Sequence, residues 1–353
     1  MTDKTKWVVK DPKRKKVFLP SPAMKKRAYF SSTSLYTTAA KNPKKFWGDM
    51  AKEAIDWKQK WNKVYEEKPP YFKWFLGGKL NVSYNCLDRH LEKRGNKVAM
   101  IWEAEPLGER ERKYTYRGLY REVCKFSNVL RKLGVRKGDR VGIYLPMIPE
   151  TMIVMLACAR IGAIHSVVFS AFSGVNFKKR VDDCEAKVLI TCDGYWRRNK
   201  AINLKSQADI AAKAKSVKKV VVVKRFEGKS PVKVVMKKGR DLWYHELMEN
   251  ASEDSKPVPV ESNTPLFLLY TSGTTGKPKG VIHDTGGYLT QAYLTTKLDF
   301  DLHDDDVFWC TADVGWITGH TYACYGPLSL GATMVIYEGS PDMPDWGRLW
   351  AIA

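Results

Sequence analysis

Residues 270–280 concentrate hydroxyl groups, glycines and lysines between two apolar runs. Glycine lets the backbone approach a ligand closely, and successive amide groups in a turn can form an anion-binding concavity. The hydroxyl groups can donate hydrogen bonds to phosphate oxygens, and the lysines add positive charge. The segment therefore predicts a phosphate-binding loop, with the candidate residues Thr271, Ser272, Gly273, Thr274, Thr275, Gly276, Lys277 and Lys279.

The loop differs from a Walker A motif in its spacing. Two residues separate Gly273 from Gly276, and Pro278 follows Lys277, whereas Walker A has four residues between its glycines and a Ser or Thr after its lysine. Residues 281–283 have the pattern of a strand, so we expect a hairpin here instead of a loop that opens a helix. A flexible linker is the alternative, but the apolar runs flank the loop too tightly for a linker.

A second segment, residues 306–320, combines apolar and hydrogen-bonding side chains around glycines. Residues 307–310 predict a strand that ends at a glycine-containing loop. Trp316 and Ile317 offer apolar walls, and Thr318 and His320 offer hydrogen bonds. A small site with one apolar wall and few polar groups suits a short carboxylic acid. Residue types alone leave open the alternative that these apolar side chains are simply core.

Both segments resemble known motifs. Residues 270–289, YTSGTTGKPKGVIHDTGGYL, resemble the phosphate-binding motif of the adenylate-forming superfamily. Residues 283–289 and 306–320 are particularly similar to the acetyl-CoA synthetase family, and the resemblance extends over most of the chain. It implies an ATP-dependent acid–CoA ligase that forms an acyl-adenylate and then an acyl-CoA, with acetate as the expected acid. The implied substrates and cofactors are ATP, Mg²⁺ and coenzyme A.

The resemblance also implies roles for particular residues. The acyl pocket would be lined by Trp316, Ile317 and Thr318, and coenzyme A would be bound by Arg197, Arg198, Asn199, Lys200, Thr318 and Asp342. Guanidinium and ammonium groups pair well with phosphates. The chain departs from the family pattern at Asn199, where a glycine is usual, at Ser170 and Ala171, where glycines are common, and at Asp342, where an Asn contacts coenzyme A. A carboxylate at this last position disfavours an anion.

Alternating helix and strand patterns must position these residues. Apolar residues between 119 and 133 recur at spacings of three and four, which predicts a helix, and residues 152–161 predict a buried helix. Strands are predicted near 141–145, 164–169, 188–191, 220–223 and 266–270. This alternation predicts an α/β fold with layered α/β/α subdomains and mostly parallel sheets. The resemblance implies that this is the N-terminal domain of an adenylate-forming enzyme, in truncated form.

Three regions are predicted along the chain. Residues 1–88 form an N-terminal arm and an N-terminal region of the acetyl-CoA synthetase type, and the first 40 of them are expected to be mostly irregular. Residues 89–262 form a first α/β subdomain, and residues 263–353 begin a second, incomplete one. The C-terminal domain, which by resemblance carries the catalytic lysine, is absent, so no catalytic residue is assigned. The chain alone is expected to be inactive or nearly so, and a second chain is a candidate source of the missing half.

Composition limits the remaining classes of function. The formal charge of +22 suits polyanionic ligands but exceeds what one nucleotide site needs. Seven scattered cysteines without a CxxC pair predict reduced thiols in the cytoplasm and no metal site. The longest apolar candidate, residues 152–159, is too short for a membrane span.

The alternative functions are a propionate or 3-hydroxy acid ligase of the same family, an inactive fragment, and a basic nucleic-acid-binding protein. We expect no specific nucleic acid and no membrane partner.

Overall fold

The computed structural model describes residues 8–226, 228–271 and 278–353. The strands of these ranges are β1 (Val8–Lys10), β2 (Phe18–Pro20), β3 (Lys63–Lys68), β4 (Tyr71–Leu76), β5 (Lys79–Leu80), β6 (Val98–Glu103), β7 (Arg112–Thr115), β8 (Arg140–Tyr144), β9 (Ile164–Val167), β10 (Val188–Cys192), β11 (Tyr195–Arg197), β12 (Lys200–Ile202), β13 (Lys219–Val223), β14 (Asp241–Trp243), β15 (Val260–Glu261), β16 (Pro265–Thr271), β17 (Lys279–Asp284), β18 (Val307–Trp309) and β19 (Thr333–Tyr337).

The helices of the same ranges include several of only one or two turns. They are α1 (Pro22–Arg27), α2 (Ser34–Lys41), α3 (Pro43–Ala54), α4 (Val82–Cys86), α5 (Leu91–Arg94), α6 (Tyr116–Lys132), α7 (Pro149–Ile161), α8 (Gly174–Cys184), α9 (Leu204–Ala211), α10 (Tyr244–Glu249), α11 (Gly286–Leu298), α12 (Ile317–His320), α13 (Gly326–Leu330) and α14 (Arg348–Ile352). A 3-10 turn at Asp88–His90 and a π-helical turn at Thr321–Tyr325 complete them. None of the described helices is long and apolar enough to cross a membrane.

The main sheet has seven strands in the order β14-β13-β10-β8-β9-β16-β17. All neighbours are parallel except β16 and β17, which form an antiparallel hairpin at one edge. Helices α7 and α8 both pack against β8, and α9 packs against β10. The predicted α/β fold with a mostly parallel sheet is therefore confirmed, and so is the expectation of a strand directly after the glycine-rich loop.

Two helices show how the sequence pattern becomes structure. In α6, Leu119, Val123, Phe126 and Leu130 are all buried on one face, and the hydroxyl of Thr115 accepts a hydrogen bond from the Gly118 amide at 3.0 Å to cap the first turn. All thirteen residues of α7 are buried. Gly162 ends α7 in the left-handed region at φ 73°, a conformation that glycine adopts without steric cost.

The second sheet has four strands in the order β18-β19-β6-β7. Strand β6 lies parallel to β19, which follows it by more than 200 residues. Both large sheets therefore contain strands from either side of residue 262. The division into residues 1–88, 89–262 and 263–353 stays a prediction, and the sheets themselves are not separated at its second boundary.

The N-terminal region corrects one expectation. Residues predicted to be mostly irregular contain the antiparallel pair β1–β2 and the helices α1 and α2. Helix α1 begins where the Ser21 hydroxyl accepts a hydrogen bond from the Met24 amide at 3.2 Å, with Pro22 at its first position. Both arrangements favour a helix start, but α1 buries no residue, so no apolar period marked it in the sequence.

The carboxyl ends of β10, β18 and β19 lead into the segments that form the site. Strand β10 is followed by the small antiparallel hairpin β11–β12. Strands β18 and β19 are parallel, so the segments that follow them leave the sheet at the same edge. Ligands of open α/β sheets bind in the crevice outside the carboxyl ends of such strands. All seven cysteines are free thiols, and all but Cys310 are buried.

Candidate functional site

A cavity of about 230 Å³ lies where these segments meet. One wall is formed by Trp309 at the end of β18 and by Asp313 and Trp316 in the loop that follows it. Arg197 comes from β11, and Tyr337 belongs to the end of β19. The cavity therefore brings together one residue of the predicted coenzyme A group and one residue of the predicted acyl group. Its lining mixes aromatic rings with a cation and a carboxyl group, which suits a polar ligand that also has apolar parts.

The basic turn at the end of β11 has a defined geometry. Arg197 and Lys200 are paired across the hairpin, and the two residues between them have positive φ, 51° at Arg198 and 58° at Asn199. A two-residue hairpin turn with both central residues at positive φ is of type I′, and Asn is among the residues that tolerate it best. The departure from glycine at Asn199 is therefore compatible with this turn. The side chains of Arg198, Asn199 and Lys200 are exposed.

Asp342 lies against the same turn. Its Oδ1 accepts a hydrogen bond from Arg198 Nε at 3.3 Å, and its Oδ2 forms an ion pair with Arg198 Nη2 at 3.0 Å. The Ser340 hydroxyl also donates to this carboxylate. The hydrogen bond from Ser340, and next the one from Arg198, lower the pKa of Asp342 below its ordinary value. The structure therefore places Asp342 with the predicted coenzyme A residues but pairs its charge with Arg198.

Glu105 joins the two loops from inside the protein. Its side chain is buried, and its Oε1 accepts a hydrogen bond from the Asn199 amide at 3.0 Å. Its Oε2 accepts a hydrogen bond from the Ser340 amide at 2.8 Å. One carboxylate thus fixes the separation of the Arg198–Asn199 turn and the Ser340–Asp342 loop.

Asp313 supplies the carboxyl group of the cavity. Burial raises the pKa of Asp313 to about 6, against the opposing effects of the Gly315 amide and of Arg197. The Gly315 amide donates to Oδ1 at 2.7 Å. Close by, the Trp309 Nε1–H is buried without an acceptor among the described residues. The cavity therefore holds a carboxyl group that titrates near neutral pH and a free hydrogen-bond donor.

The predicted acyl-pocket residues lie at the start of α12 and are exposed. Trp316 is 49% exposed and Ile317 43% exposed, so in the described ranges they are not packed as core. The Trp316 ring meets Phe172 edge-on at 6.2 Å. His320, which the sequence analysis offered as a hydrogen-bonding group of the site, is fully buried. Burial lowers its pKa to about 3, and its Nδ1 lies 3.3 Å from the Trp316 carbonyl oxygen; its role as a hydrogen-bonding group of the site stays a prediction.

The predicted phosphate loop is described only at its two ends. Thr271 and Lys279 are the last pair of the hairpin β16–β17 and are both exposed. The residues Ser272, Gly273, Thr274, Thr275, Gly276 and Lys277 lie outside the described residues. Among the described side chains that line the cavity, neither Thr271 nor Lys279 is present. The loop role of these residues stays a prediction.

An aromatic stack connects the hairpin with the exposed start of α12. The buried Phe267 ring of β16 lies 4.5 Å from the His283 ring of β17 and 4.5 Å from the His320 ring of α12. The His320 ring is in turn parallel to the His165 ring at 5.6 Å. The base of the hairpin and the helix that carries Ile317 are therefore packed against a shared ring.

Comparison with known proteins shows the family of the chain. A family model described as "AMP-binding enzyme" matches residues 87–353. The chain belongs to this AMP-binding enzyme family. A second model, "Acetyl-coenzyme A synthetase N-terminus", matches residues 33–86.

Curated relatives are similar along most of the chain. It is 51% identical over 323 residues to the acetyl-coenzyme A synthetase of Bdellovibrio bacteriovorus, covering 90% of this chain and 49% of that protein. It is 50% identical over 341 residues to the one of Gemmatimonas aurantiaca, covering 96% and 52%, and 51% identical over 331 residues to the one of Methanothrix thermoacetophila, covering 93% and 50%. The chain spans about half the length of the curated relatives it matches.

Three residues of the candidate site were missed by the sequence analysis. Asp313 and Trp309 fall inside the segment 306–320 that the sequence analysis singled out. The pattern that could have identified Asp313 is its position two residues before Gly315. Glu105 had no signal, because its partners lie 94 and 235 residues away. Its importance follows only from the way the chain folds.

Proposed function

We propose that the chain supplies the substrate-binding part of an AMP-forming acetate–CoA ligase. A carboxylate attacks the α-phosphate of ATP to give an acyl-adenylate and pyrophosphate, and the coenzyme A thiol then displaces AMP to give the acyl-CoA. The observation that carries the proposal is about 50% identity to acetyl-coenzyme A synthetases across nine-tenths of the chain. The cavity supports it by combining Arg197 with Trp316.

The first step demands little covalent chemistry from the protein. Catalysis consists of bringing two anions together and stabilising the charge on the leaving pyrophosphate. We assign the second task to the loop from Thr271 to Lys279, whose lysines and hydroxyl groups suit phosphate oxygens. Donors whose hydrogen bonds strengthen as this charge develops raise the rate and not merely the affinity.

Coenzyme A fits the basic turn and the cavity beside it. We assign its phosphates to Arg197, Arg198 and Lys200, and its thiol arm to the cavity that leads from Arg197 to Trp316. Trp316, Ile317 and Thr318 would then face the acid and the end of the coenzyme. Asn199 contributes to the turn through its backbone, since its amide is held by Glu105.

Mg²⁺ belongs with the ATP phosphates, because it is usually held by substrate phosphates, water and one or two carboxylates. Within residues 8–226, 228–271 and 278–353 no group of three or more His, Cys, Asp or Glu side chains could hold a metal ion. We propose that the protein acts in the cytoplasm. We also propose that a polypeptide equivalent to the second half of the relatives, either covalently continuous with this chain or separate from it, completes the enzyme.

Acetate-dependent exchange of pyrophosphate into ATP tests the first step. The chain would be joined to the half of the Bdellovibrio relative that it does not match, with the intact relative as a positive control. We expect exchange that requires acetate, and Lys279→Ala should lower the exchange rate by about 10- to 1000-fold with a smaller change in the KM for acetate. The matched control is Lys73→Ala, at an exposed position of strand β4. Absence of acetate-dependent exchange in a folded chimera would refute the proposal.

A further inference from the structure

Arg198 and Asp342 form an ion pair across two separate loops at the edge of the cavity. Two nitrogens of the guanidinium contact the two oxygens of the carboxylate, at 3.3 and 3.0 Å. The Arg198 side chain is 64% exposed and the Asp342 side chain 25% exposed. The pair is therefore open to solvent on one side and can be reached by a ligand without local unfolding.

The two loops are held in this relation by the protein interior. Glu105 accepts hydrogen bonds from the amides of Asn199 and Ser340, so the turn and the loop are fixed at their bases while their charged tips meet above. The Ser340 hydroxyl orients the Asp342 carboxylate by donating to it. The carboxylate is thus directed at Arg198 by built contacts and is not an unrestrained surface group.

The other cations of the turn have different surroundings. Arg197 lines the cavity that contains the Asp313 carboxyl group, and Lys200 lies opposite Arg197 on β12. A planar guanidinium binds a carboxylate or a phosphate through the same parallel N–H groups. Arg198 therefore cannot hold Asp342 and a phosphate through these two nitrogens at the same time.

We propose that the Asp342 carboxylate is an internal competitor that occupies Arg198 until a phosphate group of the ligand displaces it. This inference rests on the proposed binding of coenzyme A at the basic turn. Asp342 then lowers the affinity of the site for coenzyme A, and so lowers the occupancy of the site at a given coenzyme A concentration. The displaced carboxylate keeps its hydrogen bond from Ser340, so the exchange of partners needs no movement of the loop backbone.

Isothermal titration of the chain with coenzyme A at low salt tests the inference. The four proteins are the unmodified chain, Asp342→Asn, Arg198→Ala and the double variant. We expect Asp342→Asn to bind coenzyme A about two- to fivefold more tightly, the range expected for release of a solvent-exposed ion pair. Arg198→Ala should bind more weakly, and adding Asp342→Asn to it should give no gain, because the effect acts through Arg198.

Two controls separate this effect from a general change in charge. The first control is Asp345→Asn, which removes a carboxylate three residues after Asp342. Among the described groups, this carboxylate accepts a hydrogen bond only from the Gly347 amide. Asp345→Asn should therefore leave the affinity for coenzyme A within twofold of that of the unmodified chain. Pantetheine, which lacks phosphate, should bind Asp342→Asn and the unmodified chain equally. The gain with coenzyme A should shrink as salt is raised, since exposed charges are screened.

The outcomes distinguish the inference from the function beneath it. Coenzyme A binding that is unchanged by Asp342→Asn, or a gain that persists in the Arg198→Ala background, overturns the competitor role and leaves the proposed function intact. Absence of coenzyme A binding in all four folded proteins overturns the assignment of the basic turn and the inference with it. Thermal melting of each variant establishes that it is folded.

Discussion

Removing the Glu105 carboxylate should loosen both loops of the candidate coenzyme A site. In Glu105→Ala, the amides of Ser340 and Asn199 lose their acceptor. Ser340 is buried, so its amide bears most of the desolvation penalty, about 1–3 kcal/mol. Asn199 is exposed, so water can replace the lost partner and its share is about 0.5–1 kcal/mol. We expect each loop to lose its own share of its opening free energy, about 1–3 kcal/mol at Ser340 and about 0.5–1 kcal/mol at Asn199.

Hydrogen exchange followed by mass spectrometry measures this opening directly. Each 1.4 kcal/mol corresponds to a tenfold change in the opening equilibrium, so peptides containing Ser340 should exchange roughly 5- to 150-fold faster in Glu105→Ala. Peptides from α7 should be unaffected, which separates local loosening from global unfolding. Glu111→Ala, which removes an exposed carboxylate paired with Lys113, is the control. Unchanged exchange at both loops would show that Glu105 does not hold them.

Two further predictions concern buried charge. The Arg160 guanidinium is 1% exposed and lies 2.7 Å from the Asp88 carboxylate, so Asp88→Ala leaves a buried cation without its counter-ion and should lower the free energy of unfolding by about 3–5 kcal/mol. A urea midpoint unchanged from that of the unmodified chain would contradict this. Combining Asp88→Ala with Arg160→Met should recover part of the loss. Burial raises the pKa of Asp313 to about 6 from its ordinary value of 3.8, so ionisation of Asp313 penalises the folded state increasingly as pH rises from 4 through 6. Asp313→Asn should therefore be more stable than the unmodified chain by about 1–3 kcal/mol at pH 7.5, and equally stable near pH 4. Thermal melts of the two proteins that show no such pH-dependent difference would refute the reasoning.

The elements that could be predicted are those whose pattern is local and complete. The periodic apolar residues of α6 and the uninterrupted apolar run of α7 each specify a helix without reference to the rest of the chain. The short helix α1 buries nothing, so only its capping residues Ser21 and Pro22 mark it. The pairing of β6 with β19 depends on packing between distant segments, and no local pattern contains it.

The residues of the candidate site likewise include some that a local sequence pattern identifies and some that it does not. The segment from Trp309 to Thr318 could be located because its residue types are unusual and close together in sequence, whereas the basic turn was located by its resemblance to the family. The contact between Asp342 and Arg198 crosses 144 residues, and the role of Glu105 depends on two contacts of this kind. Prediction from sequence named Asp342 but not its contact with Arg198, and it did not find Glu105.

Strand β17 is the last strand of the main sheet in the described ranges, and it exposes Val281 and Ile282. Its outer backbone groups form a template on which an extended peptide can be added as an eighth strand. A concentrated solution of the chain should therefore self-associate through this edge unless another polypeptide covers it. A charged substitution at Ile282, which is 63% exposed, is accordingly a practical route to a monodisperse sample for crystallisation or NMR.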